Sequence, residues 1–353
     1  MNQHDFELTD ASIANKVSER IAIPLDMNVW NFLARDVSAE ATRAKELLTN
    51  LVVDGKVFCP LTFSVITELF KQNYESALRT ATLMDQLSLN VCFALDKEIY
   101  NKEVRSFLQR FVDGKEIRLS KNEIYVPVSA FLGSFGNLQF PAEFPGAEEQ
   151  RQEFTQNVSK RLASLKLTDI VNMLKESLPL SLFQQQSPPE YTEVWKERWE
   201  YAKGNKAKMR EVEQDNYVRQ VLIPELQNES LKLPSEAIQR FKDYIKSLPQ
   251  NSPALASTKI LEHMPALKNA IQIMTITGYD PTRKATMNDF FDIQMMLTPL
   301  AYADAFVSTD KWIRHLLTTS RSIFETEGAV CISSLSELIT FLEDCKSDEQ
   351  GDL

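Results

Sequence analysis

The chain has 353 residues, a formal charge of −10 and an apolar fraction of 43%, the balance of a globular protein with room for one large domain or two ordinary ones. Four scattered cysteines without a C-x-x-C pair read as reduced thiols and speak against a zinc site, and three histidines are too few for chemistry built on several imidazoles, which leaves carboxylates as the catalytic candidates. The acidic balance argues against bulk attraction to nucleic acid, no apolar run is long enough to span a bilayer, and the acid-bearing start does not read as a secretory signal, so the expected setting is cytoplasmic with no membrane contact.

Residues 1–20 read as a polar extension. "RIAIPLD" then gives a short strand that ends on Asp26. Val29 to about Asn50 repeats apolar residues at helical spacing, which predicts one helix. "DGK" is a turn, "VFCP" a second strand, and "LTFSVITELFKQ" opens a further helix that carries Glu68. "LNVCFALD" is a third strand and "KEIYNKEVRSFLQRF" an amphipathic helix. Strand–helix alternation of this kind predicts a parallel sheet with helices on its faces.

The stretch 114–280 has little strand pattern and reads as a mostly helical insertion, with "VPVSAFL" ambiguous and breaks expected at Pro224 and Pro234. Strand and helix then alternate again. "TMNDFFDIQMML" is a helix with Thr286 as the expected N-cap and Asp289 completing a capping box. Pro299 is expected to end or kink it. "DAFVSTD" is a strand that ends on Asp310, followed by a helix, the strand "AVCISS" and the helix "LSELITFLEDC". Residues 346–353 read as a tail. The expected organisation is thus 21–113 and 281–345 as two halves of one α/β domain, with 114–280 inserted between them.

Four acids stand out: Asp26 and Asp310 at strand ends, and Glu68 and Asp292 in flanking helices. In parallel α/β sheets, sites lie beyond the carboxyl ends of the strands. Each acid also has an ordinary reading. Asp26 and Asp310 can cap or turn into the helices that follow, Glu68 can be a solvated helical acid, and Asp292 can complement a helix dipole. Asp289, three residues before Asp292 and on the same helix face, competes with it.

Taken in order, "IPLDMNVW", "VFCPLTFSVITELFK", "DIQMMLTPLAYADAFVSTDK" and "VCISSLSELITFLED" resemble the blocks of the PIN-domain ribonucleases, a family that includes toxin nucleases of toxin–antitoxin pairs. The resemblance covers about Ile21 to Val112 and Pro281 to Cys345; the insertion and the bulky residues after Asp292 depart from the minimal pattern. It implies a three-layer α/β fold with a central parallel sheet. It also implies a metal-dependent endoribonuclease that hydrolyses RNA phosphodiesters through Mg²⁺ or Mn²⁺. Asp26 and Asp310 would hold the metal directly, and Glu68 and Asp292 directly or through waters. Asn28, Ser308 and Asp289 would stand behind them. Arg283 and Lys284 would meet a substrate phosphate, or are an ordinary surface pair. Clustered carboxylates repel one another unless a hard cation sits among them, and oxygen ligands suit such a cation.

The main rival is a catalytically inactive PIN-like scaffold whose helical insertion binds protein or RNA; the insertion could equally dock an antitoxin-like partner or a second copy. A phosphatase of the haloacid dehalogenase type needs a second acid where Asn28 stands, and no G-x-G-x-x-G or P-loop is present.

Overall fold

The computed structural model describes residues 11–114, 118–130, 164–177, 197, 200–202, 205–226, 234–248, 259–279, 287–324 and 328–347. It is mostly helical, with short strands in small sheets. The chain divides into two compact units, 1–94 with 121–185 and 332–353, and 95–120 with 186–331. Residues 164–177 of the expected insertion belong to the first unit, whereas the helix after the third strand belongs to the second.

The first unit begins with α1 (Ala11–Val17), β1 (Ile21–Ala22), α2 (Met27–Arg35), α3 (Ala39–Val53), β2 (Val57–Phe58), α4 (Phe63–Leu69), α5 (Tyr74–Ser88) and β3 (Val91–Phe93). The second unit then takes α6 (Asp96–Asp113), after which α7 (Lys121–Ile124), β4 (Tyr125–Pro127) and α8 (Leu167–Ser177) return to the first. β1 pairs parallel with β2, Ile21 opposite Val57, and a single parallel bridge from Leu61 to Cys92 continues the pairing to β3. β3 pairs antiparallel with β4, Val91 opposite Pro127, which resolves the ambiguous "VPV" as strand. The ladders are short because Pro24 and Pro60 follow β1 and β2, and proline has no N–H to give. The expected parallel order of the first three strands is present, but as two-stranded sheets joined by one bridge.

The predicted helix from Val29 to Asn50 is two helices. Asp36 adopts a left-handed conformation (φ 48°) that closes α2, and the Ser38 hydroxyl accepts from the Ala41 N–H to start α3. Apolar periodicity carries across the break, which is why the pattern alone reads as continuous. Trp30, Phe58, Phe93, Ile23, Leu33 and Leu48 fill the core of this unit. Asp85 of α5 starts α8 in trans, accepting from the Leu167 N–H (2.7 Å), the Thr168 N–H (3.1 Å) and the Thr168 hydroxyl (2.7 Å).

The second unit continues with α9 (Lys206–Tyr217), a π-helical turn (Val218–Leu222), α10 (Ile223–Leu226), α11 (Ser235–Ser247), α12 (Pro265–Tyr279), α13 (Met287–Tyr302), β5 (Ala305–Val307) and α14 (Lys311–Phe324). β6 (Val330–Ile332) pairs with β5, and α15 (Leu335–Ser347) runs back in the first unit against α3. Pro299 does not end its helix: α13 runs on for one turn to Tyr302, closed by the Ala303 N–H on the Pro299 carbonyl. Thr286 lies outside the described residues, and with it the expected capping box.

Gly328 lies against the end of α13. A Cβ there would come within 2.5 Å of the Leu300 carbonyl oxygen, a backbone atom that cannot swing away. Gly328→Ala is expected to cost about 1–3 kcal/mol of stability, as overpacking does. Urea unfolding with an unchanged slope checks this; an unshifted midpoint would mean that the β5–β6 connection yields easily.

Candidate functional site

In the first unit the strand end comes first. β1 stops before Pro24, and the Ile23 N–H still reaches the Phe58 carbonyl (2.9 Å). The chain then turns into α2 at Asp26, which is 1% exposed. Its Oδ1 accepts from the Val29 N–H at 2.7 Å, so the capping role exists. Glu68 is half-buried in the last turn of α4, a helix begun by the Thr62 hydroxyl on the Val65 N–H. Burial pushes its carboxyl above the usual range; the Lys71 ammonium pulls it back and the negative charge of Asp26 pushes it up. Asp26 and Glu68 are thus electrostatic neighbours. Asn28 is exposed on the first turn of α2.

In the second unit, Asp289 (5% exposed) lies in the first turn of α13 and Asp292 is half-buried one turn on. Ser308 is buried just after β5, and its hydroxyl accepts from the Asp310 N–H at 3.2 Å. The Asp310 Oδ1 accepts from the Trp312 N–H (2.6 Å) and the Ile313 N–H (3.1 Å), so it too caps a helix, α14. Arg283 and Lys284 lie outside the described residues. Among the described residues, no group of three or more His, Cys, Asp or Glu side chains is placed to hold a metal ion.

The second unit also buries acids that the sequence reading passed over. Asp96, Tyr100 and Glu103 stand at i, i+4 and i+7 on α6 and so share one face. The Thr298 hydroxyl donates to Asp96, and the Tyr302 hydroxyl donates to Glu103. Glu103, 2% exposed, also accepts from the N–H groups of Ala266 (2.8 Å) and Leu267 (3.0 Å), the free amides at the start of α12. Burial raises Asp96 to about 7 against the Thr298 bond, and Glu103 to about 7 against its three bonds. The signal was present in "DKEIYNKEVRSF": two acids keep helical step with Ile99, Val104 and Phe107 on the buried face.

Comparison with protein-family models, with curated proteins and with solved structures gives no match. Among the described residues, no helix is long and apolar enough to cross a membrane.

Proposed function

We propose that this chain is a metal-dependent endoribonuclease of PIN-like fold, with Asp26 and Glu68 as the acids of its first unit that hold Mg²⁺ or Mn²⁺. The observation that carries the reading is this pair. A buried carboxylate follows a strand of a parallel pair, and a second, half-buried carboxyl sits within reach of its charge. Two neighbouring acids away from water favour a cation, and an all-oxygen donor set suits a hard one. Asp292 and Asp310 enter through the sequence resemblance alone. Bound there, a divalent cation supplies charge neutralisation and Lewis acidity at a phosphodiester. Burial holds the Glu68 carboxyl above the usual carboxylate range, and the Lys71 ammonium pulls it back. A toxin-type role, an antitoxin-like partner and a cytoplasmic setting belong to the same proposal.

The scaffold reading has an observation of its own: Asp26 and Asp310 both spend an oxygen on capping a helix. Calorimetry with Mn²⁺ separates the two. Wild type is expected to bind in the micromolar to millimolar range, and Asp26→Asn with Glu68→Gln to lose that binding while staying folded. A folded wild type that binds no Mn²⁺ or Mg²⁺ would sink the nuclease reading and leave the scaffold.

A further inference from the structure

A cation held by Asp26 and Glu68 needs the two acids at one separation, yet they stand on different helices. Asp26 opens α2, and Glu68 lies in the last turn of α4. Apolar packing brings these helices together, with Leu33 of α2 and Ile66 and Leu69 of α4 fully buried. Such packing is non-directional, and α4 is only seven residues long, so its burial alone does not fix how Glu68 is turned toward Asp26.

A chain of side-chain hydrogen bonds supplies the missing direction. Gln72 follows α4, four residues after Glu68, and Asn31 lies on α2, five residues after Asp26. The Gln72 Nε2 donates to the Asn31 Oδ1 at 3.1 Å. The Gln72 Oε1 accepts from the Ser76 hydroxyl at 2.9 Å, and the Ser76 oxygen accepts from the Arg35 Nη2 at 3.0 Å. The Thr80 hydroxyl approaches the same Asn31 oxygen at 3.5 Å. Asn31 and Arg35 are one turn apart on α2, and Ser76 and Thr80 one turn apart on α5, so the chain joins one face of each helix.

The direction of the chain has one solution. A guanidinium only donates, so the Ser76 oxygen accepts from Arg35 and its hydrogen goes to the Gln72 carbonyl oxygen. That leaves the amide nitrogen of Gln72 for Asn31. Ser76 and Thr80 are buried, which shields the α5 end of the chain from water. The backbone passes this hold on to Glu68. The Lys71 N–H donates to the Glu68 carbonyl and the Gln72 N–H to the Leu69 carbonyl, both at 3.1 Å, so the turn between Glu68 and Gln72 is itself bonded.

We propose that Gln72 is a positioning residue: through Asn31 it fixes the turn after α4 on α2 and so sets the separation of Asp26 and Glu68. This rests on the reading of those two acids as one site.

Double-mutant cycles in urea, without metal and near neutral pH, measure how strongly the two acids act on each other. Asp26→Asn and Glu68→Gln each remove one charge, and the cycle cancels any general loss of stability. In the otherwise native chain the two substitutions are expected to be non-additive, since removing either charge relieves the same repulsion. With Gln72→Leu in every member of the cycle, the non-additivity is expected to fall about twofold, as water enters between the acids and screens them. Asn31→Leu cuts the same bond from the other helix and is expected to do the same; it decides if Gln72→Leu does not fold. Undiminished non-additivity in these backgrounds, or additivity in the native chain, overturns the proposal. In the Mn²⁺ titration, Gln72→Leu is expected to weaken binding about tenfold, the scale on which groups behind a metal ligand act, and unchanged affinity would also overturn it. A wild type that binds no Mn²⁺ sinks the nuclease reading alone, because the metal-free cycle still shows whether Gln72 sets the pair.

Discussion

Phe58→Ala is expected to cost the first unit about 4 kcal/mol, a large share of the stability of an ordinary domain. Phe58 is fully buried on β2, opposite Ala22 of β1. Its ring meets Tyr125 of β4 edge-on at 5.3 Å, and Tyr125 in turn meets Phe93 of β3 at 4.9 Å. Three strands thus share one aromatic cluster, and the ladders between them are too short to hold register alone. Truncating Phe58 removes its buried area and leaves a cavity that short, proline-bounded strands close poorly. The urea midpoint is the measurement, with Val53→Ala as the control. Val53 is 80% exposed at the end of α3, so its loss is expected to move stability by no more than about 0.5 kcal/mol. Equal shifts for the two variants would show that the cluster does not hold the sheet.

The sequence made some of this visible. The helix starts at Asp26 and Asp310 were legible, since both acids cap the helices that follow, but the strands stop short of them, β1 at Ala22 and β5 at Val307. The break at Asp36 was not, because Leu33 and Ala44 stay in helical step across it and the left-handed residue is not a glycine. The length of the sheets was misjudged for a different reason. Pro24 and Pro60 were in plain view, but strand propensity says nothing of how many ladder bonds a proline removes. What α6 packs against was hidden in long-range contacts. α6 reads as the natural partner of the strand before it, yet its buried acids are met by Ala266, Thr298 and Tyr302, far along the chain. Helical period marks which face is buried and does not say against what.

Asp26 is the residue at which capping and catalysis can be told apart, because one oxygen serves the cap. Asp26→Asn keeps a side-chain oxygen for the Val29 N–H, now held at 2.7 Å, and removes the charge that acts on Glu68. Asp26→Ala removes both. The cap is worth about 1 kcal/mol, so stability is expected to fall by that amount in the alanine variant and to change little in the asparagine variant. Cleavage of a mixed-sequence RNA in Mn²⁺ is expected to fall about a thousandfold in both, the scale on which a charge-stabilising group at a reacting centre acts. The two readouts are therefore ordered differently by the two roles. A cap alone makes asparagine the better variant in every assay, whereas a metal ligand makes the two equally inactive while only alanine is destabilised. Full RNA cleavage by Asp26→Asn would leave Asp26 as a cap and remove the first unit's share of the proposed site.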